Sequence, residues 1–233
     1  MGLSDGAGSS RSAWSLKPNG TLDLSSKALS DDVNDGLGSF LKINEVKHLL
    51  LSANKLTAVP PALWLAQDLR ILDLSGNTLG SDYFSADFEL PSLRELNLRN
   101  CRLTTLEPLT SQLAAPNLQV LDITANRLSG VLPVLRATYP ALTTLMATDN
   151  KFTSVTADAL RGLCTVNLAS NDIQQLPAEI GLLWDEGLKN LEIGHNSFRV
   201  PNYRVLDKGT EATLRWLRDR LPAAQAGDVE EVE

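Results

Sequence analysis

Residues 118–128 read LQVLDITANRL, and the spacing inside those eleven letters decides the fold. Apolar residues stand at its first, fourth, sixth and eleventh positions, with an asparagine at the ninth. Working outward, the frame recurs as LRELNLRNCRL at 93–103, LRILDLSGNTL at 69–79 and VKHLLLSANKL at 46–56. Toward the C-terminus it returns as LTTLMATDNKF at 142–152, LCTVNLASNDI at 163–173 and LKNLEIGHNSF at 188–198. An eroded copy, GTLDLSSKAL at 20–29, puts Lys27 where the asparagine belongs. The fourth-position residues are 22, 49, 72, 96, 121, 145, 166 and 191, spaced 21 to 27 apart. A period of that length marks a stacked repeat, in which no copy can bury its apolar face alone.

Each place in the frame has a physical reason. Side chains alternate across a strand, so the fourth and sixth residues point into a core and the fifth points out. The asparagine turns the chain out of the strand and satisfies backbone groups that stacking removes from water. Asn54, Asn77, Asn126, Asn150, Asn171 and Asn196 predict a ladder, with Cys101 filling one rung structurally. The frame resembles the leucine-rich repeat, whose copies run about 20–29 residues. That resemblance implies an α/β fold: a curved solenoid of about eight repeats with a parallel concave sheet and a C-terminal capping helix. Leu56-x-x-Val59-Pro60-x-x-Leu63 and Ile173-x-x-Leu176-Pro177-x-x-Ile180 read as compact returns on the convex side. The returns from Leu79 to Pro91 and from Leu103 to Pro116 are looser, with room for a helical turn.

Composition excludes several classes. The chain has 233 residues, 43% hydrophobic and 21% charged, which is too apolar for disorder throughout. No apolar run approaches the ~18 residues of a membrane span. A formal net charge of −7 repels phosphate backbones and argues against a nucleic-acid partner. Two cysteines, Cys101 and Cys164, make no disulfide framework, and MGLSDGAGSSRSAW has no basic segment followed by an apolar one. The reading is a reducing compartment: the cytoplasm, with nucleus or cilium as alternatives.

Three segments are expected. Residues 1–13, rich in glycine and serine, read as a disordered leader, 14–222 as the repeat domain with its caps, and 223–233 as an acidic tail. Trp14 and Leu16 are expected to cover the first repeat, and Asp31–Leu41 to form a short convex-side helix. Thr210 is expected to N-cap a closing helix that presents Leu214, Leu217 and Leu221 on one face and stops at Pro222. The closing stretch runs Phe198-Arg199-Val200-Pro201, then Leu206, Lys208-Gly209-Thr210 and Leu214-x-Trp216-Leu217-Arg218-x-Arg220-Leu221-Pro222. It resembles the C-terminal cap of the leucine-rich repeat-containing protein 40 family, which implies an intracellular interaction protein without defined chemistry.

Catalysis needs groups that converge, and stacking keeps the reactive ones apart. Neighbouring strands are ~4.8 Å apart, which puts His48 and His195, six copies apart, at roughly 29 Å. By the same measure Cys101 and Cys164 are roughly 14 Å apart, beyond disulfide reach. His48 and Ser52 are separated by about 13 Å along one strand, too far for a nucleophile and its base. No phosphate-binding glycine loop, zinc spacing or calcium loop is present. The expectation is no catalytic residue, no metal and no cofactor.

What remains is surface. The fifth positions carry Asp23, Leu50, Asp73, Asn97, Asp122, Met146, Asn167 and Glu192, and the seventh Ser25, Ser52, Ser75, Arg99, Thr124, Thr148, Ala169 and Gly194. Lys55, Arg102, Arg127 and Lys151 follow the ninth position. This is either a solvated face or a binding face, and small side chains beside charges of both signs favour binding. The candidate contacts are Asp73, Asn97, Arg99, Arg102, Asp122, Thr124, Arg127, Met146, Thr148, Asp149 and Lys151. Trp64 and Trp184, on the convex returns, are either exposed anchors or, the reading adopted, partly buried against a neighbouring return. The functional reading is a non-catalytic module or scaffold, monomeric when free, that binds a protein partner through its concave face. Its rivals are a constitutive subunit of a large cytoskeletal or axonemal assembly, and a regulator acting on an enzyme through the convex side.

Overall fold

The computed structural model describes residues 14–84 and 87–222; the expected leader, 1–13, and the acidic tail, 223–233, lie outside the described residues. Each repeat supplies one three-residue strand. These are β1 (Thr21–Asp23), β2 (His48–Leu50), β3 (Ile71–Asp73), β4 (Glu95–Asn97), β5 (Val120–Asp122), β6 (Thr144–Met146), β7 (Thr165–Asn167) and β8 (Asn190–Glu192). They pair in chain order into one parallel sheet. The register is one to one, so Leu22, Leu49, Leu72, Leu96, Leu121, Leu145, Val166 and Leu191 form a single row. None of the eight is more than 5% exposed. Leu24, Leu51, Leu74, Leu98, Ile123, Ala147, Leu168 and Ile193 form the second buried row. This is the α/β repeat solenoid that the spacing predicts.

The chain leaves every strand by the same turn. The eighth-position residue is left-handed in all eight repeats, with φ of 53° to 56° at Ser26, Ala53, Asn100, Ala125, Asp149, Ser170 and His195, and 68° at Gly76. That conformation costs a residue with a side chain about 1–2 kcal/mol, and in six of the repeats an asparagine follows it. Asn126 Nδ2 donates to the Leu98 and Ile123 carbonyls at 2.9 and 2.8 Å. Its Oδ1 accepts from the N–H groups of Cys101 and Leu103 at 3.1 and 3.0 Å. Each asparagine thus ties its repeat to the preceding one. Cys101 does half of this: its thiol donates to the Leu74 carbonyl at 3.2 Å but offers no carbonyl oxygen. The Leu79 N–H goes instead to the Cys101 backbone oxygen, at 3.1 Å. In the two repeats that lack the asparagine, the tenth-position residue is left-handed as well, at φ 55° for Ala28 and 60° for Arg102. No repeat with the asparagine does this.

The returns carry α1 (Val33–Leu41), α2 (Glu107–Gln112), α3 (Ala157–Leu160), α4 (Tyr203–Leu206) and α5 (Thr210–Arg218). The two compact returns are 3-10 turns, at Pro61–Leu65 and Ala178–Trp184. The first of the loose central ones holds aromatic filler. Tyr83, Phe84 and Phe88 form a buried chain of rings with centroids 5.2 and 5.3 Å apart, and the buried Tyr139 hydroxyl donates to the Leu109 carbonyl. Trp64 corrects the expectation: it is 59% exposed, because the tight 3-10 return turns its long side chain outward while Ala62 and Leu63 take the interior. Trp184 is half-buried, with Lys189 Nζ 4.2 Å from its ring centroid.

Both ends of the sheet are closed. Leu16 bridges Leu22 beside β1, and Trp14 packs on Phe40 of α1. At β8 the structure corrects the role assigned to Thr210. Gly209, at φ 88°, is the N-cap of α5 and makes no side-chain cap bond. The Thr210 hydroxyl instead accepts the Leu191 N–H at 2.9 Å. Among the described residues no further strand pairs with the outer edge of β8, and a helix side chain takes its donor. Thr213, Leu214 and Leu217 are the buried face of α5. Leu221 lies past the helix end and is half-buried.

Candidate functional site

The concave face is built from rows of equivalent positions, and the fifth-position row has a structural duty. The sixth and eighth N–H groups of a repeat bond the next strand, as Leu98 and Asn100 do to the Asp122 and Thr124 carbonyls at 2.8 and 2.9 Å. The seventh N–H points elsewhere and needs a partner. Asp23, Asp73, Asn97, Asp122 and Asn167 each accept it through Oδ1, at 2.8 to 3.2 Å. This is the turn that Asp and Asn side chains favour. At Asp23 the Ser25 N–H, with Lys17 beside it, holds the carboxyl below its usual range.

Of the candidate contacts, Arg99, Arg102, Arg127, Asp149 and Lys151 are exposed, and Asp73, Asn97, Asp122, Met146 and Thr148 are half-buried. Thr124 is a correction. It is only 8% exposed, a short side chain in a row between Arg99 and Thr148. Sequence reasoning omitted the third-position row, which the register places in line as Thr21, His48, Ile71, Glu95, Val120, Thr144, Thr165 and Asn190. The alternation that exposes the fifth position exposes the third equally, so the signal was present. Arg70 and Arg94, exposed at the second position, were omitted with it. His48 Nδ1 lies 3.0 Å from the Thr21 hydroxyl.

Both cysteines are free thiols; Cys101 is buried and Cys164 exposed. Burial pushes the Cys101 thiol up to about 11, so it stays protonated and inert at neutral pH. Alkylation of the folded protein is therefore expected to add one label, at Cys164, and alkylation in denaturant two. Intact mass reads both, and two labels under native conditions would contradict the burial of Cys101. Among the described residues, no group of three or more His, Cys, Asp and Glu is placed to hold a metal ion. No helix among them is long and apolar enough to cross a membrane.

Residues 91–136 match the family model described as Leucine Rich repeats (2 copies). The chain folds as a leucine-rich repeat solenoid. Among curated relatives, this leucine-rich repeat chain is 30% identical to Receptor like protein 23 of Arabidopsis thaliana over 165 residues, covering 67% of the chain and 18% of that protein. It is 35% identical over 104 residues to Geranylgeranyl transferase type-2 subunit alpha of Mus musculus, covering 43% and 18%. The chain therefore spans less than a fifth of either relative. Among solved structures, internalin C2 of Listeria monocytogenes superimposes with a TM-score of 0.60 at 21% identity, over 78% of this chain and 74% of that one. A leucine-rich repeat protein of Leptospira interrogans gives 0.52 at 28% identity, over 69% and 40%.

Proposed function

We propose that this chain is a non-catalytic module that binds a protein partner across its concave face. One observation carries the reading. From the second repeat to the eighth, every third- and fifth-position side chain stays at least partly exposed. Leu50, Ile71, Val120 and Met146 stand there half-buried among polar and charged neighbours. Apolar side chains ringed by polar ones are how protein interfaces are composed. In this reading the free module is monomeric and works in a reducing compartment, as two unpaired thiols suit.

A photo-crosslinking residue at Val120 or Met146 is expected to capture a protein, and one at Trp64 to capture none. Alanine at Val120 or Met146 is expected to weaken the captured partner about ten-fold, or ~1.4 kcal/mol. Capture confined to Trp64 would move the site to the convex side and end this reading.

A further inference from the structure

The fourth repeat concentrates positive charge on the concave side. Arg94, Arg99 and Arg102 occupy its second, seventh and tenth positions, and all three are exposed. None forms an ion pair among the described residues. Arg94 and Arg99 lie five residues apart on extended chain, ~16 Å at 3.3 Å per residue, so the two flank the strand Glu95–Asn97, and Arg102 follows the turn beyond them. The one acid within residues 93–103 is Glu95. The nearest acids in the adjoining strands, Asp73 and Asp122, each commit one oxygen to a backbone N–H of their own turn. Such a concentration stands out in a chain of net charge −7.

Two further features converge on the same repeat. Arg102 is held at φ 60°, a conformation that costs a side-chain-bearing residue about 1–2 kcal/mol and is absent from the equivalent Arg127 and Lys151. Cys101, standing where six repeats have the asparagine, immediately precedes that turn, as Lys27 precedes the one at Ala28. Apolar side chains also flank the charge. Ile71 and Val120 sit in register with Glu95 on the strands to either side, two strand spacings or ~10 Å from each other. A bare polyanion has no use for those flanks; a polypeptide does.

We infer that the concave face takes an acidic segment of a partner protein. Its Asp or Glu carboxylates sit on Arg94, Arg99 and Arg102, and its apolar side chains rest on Ile71 and Val120. Arginine suits the task because its planar fork takes a carboxylate through two parallel hydrogen bonds. This rests on the concave-face reading above and adds the chemistry of the partner.

The test is fluorescence anisotropy with a short labelled peptide alternating glutamate and leucine. Its counterparts are a lysine–leucine peptide and a single-stranded oligodeoxythymidylate of equal charge. The acidic peptide is expected to bind, to weaken as salt rises, and to lose at least ten-fold in affinity to the Arg94→Glu/Arg99→Glu variant. Lys189→Glu, four strands away on β8's repeat, is expected to leave it unchanged, and circular dichroism verifies that each variant folds. Three results overturn the proposal: no binding of the acidic peptide to the unaltered chain, equal binding by the Arg94→Glu/Arg99→Glu variant, or tighter binding of the oligonucleotide. A partner crosslinked at Val120 that holds the double variant undiminished refutes the acidic segment and leaves the concave face standing. A partner crosslinked only at Trp64 refutes both.

Discussion

Replacing Asn126 with alanine is expected to lower the free energy of unfolding by about 3 kcal/mol, since each buried group left without its partner costs roughly 1–3 kcal/mol and relaxation recovers part of that. The groups at stake are the N–H donors of Cys101 and Leu103 and the carbonyls of Leu98 and Ile123. Water cannot replace the amide, because Asn126 is only 8% exposed. Asn100→Ala makes the control. Asn100 is exposed, and alanine already occupies its left-handed place in two other repeats, at Ala53 and Ala125, so a loss under about 1 kcal/mol is expected. Urea titration followed by circular dichroism measures both. Equal losses would mean that the asparagine ladder does not bind repeat to repeat.

Gly181→Ala is expected to undock the closing helix. A Cβ at Gly181 would lie 2.3 Å from the Arg218 nitrogen and 2.6 Å from the Leu214 carbonyl oxygen. Both are backbone atoms of α5, so no rotamer change relieves the clash and the helix as a whole must move. Undocking returns Leu214 and Leu217 to water at about 1.5–3 kcal/mol each, and it separates the Thr210 hydroxyl from the Leu191 N–H. Truncation before Thr210 is expected to cost the same, a sum comparable with the total stability of many domains. Trp184 and Trp216, half-buried beside this contact, are expected to shift their fluorescence to the red. Gly194→Ala, where a Cβ meets nothing within 4 Å, is expected to stay within about 0.5 kcal/mol of the parent. Should Gly181→Ala melt with the parent and keep its fluorescence, α5 is not the cap.

The fold was legible because its determinants are periodic. Leucines at fixed offsets and six asparagines in one frame leave one way to bury both, and α1 and α5 follow from apolar spacing on one helix face. What escaped depends on partners distant in sequence or on backbone direction. Thr210 looks like a helix cap because threonine commonly is one; that its hydroxyl serves Leu191, 19 residues earlier, follows only from the packing of α5 on the last strand. The left-handed turn at Arg102 goes with the missing asparagine at position 101, as the one at Ala28 goes with Lys27. Tyr83, Phe84 and Tyr139 belong to no repeat position and fill the volume that longer returns enclose. A second duty of the candidate face was missed for a nearer reason. Asp73 and Asp122 were read as contact residues alone, although an Asp or Asn two residues before an unpaired N–H is itself a turn signature.

The fifth-position row divides the concave face by its freedom to change. A substitution at the third or seventh position alters what the surface presents and leaves the turn intact, so descendants of this chain can change that surface one repeat at a time. Asp73, Asn97, Asp122 and Asn167 are tethered to the N–H two residues on, and drift at those sites is limited largely to exchange between Asp and Asn. That exchange adds or removes one unit of charge while keeping the oxygen the turn requires. Lineages can therefore tune the electrostatics of those four sites in single-charge steps, and remodel shape at the untethered positions around them.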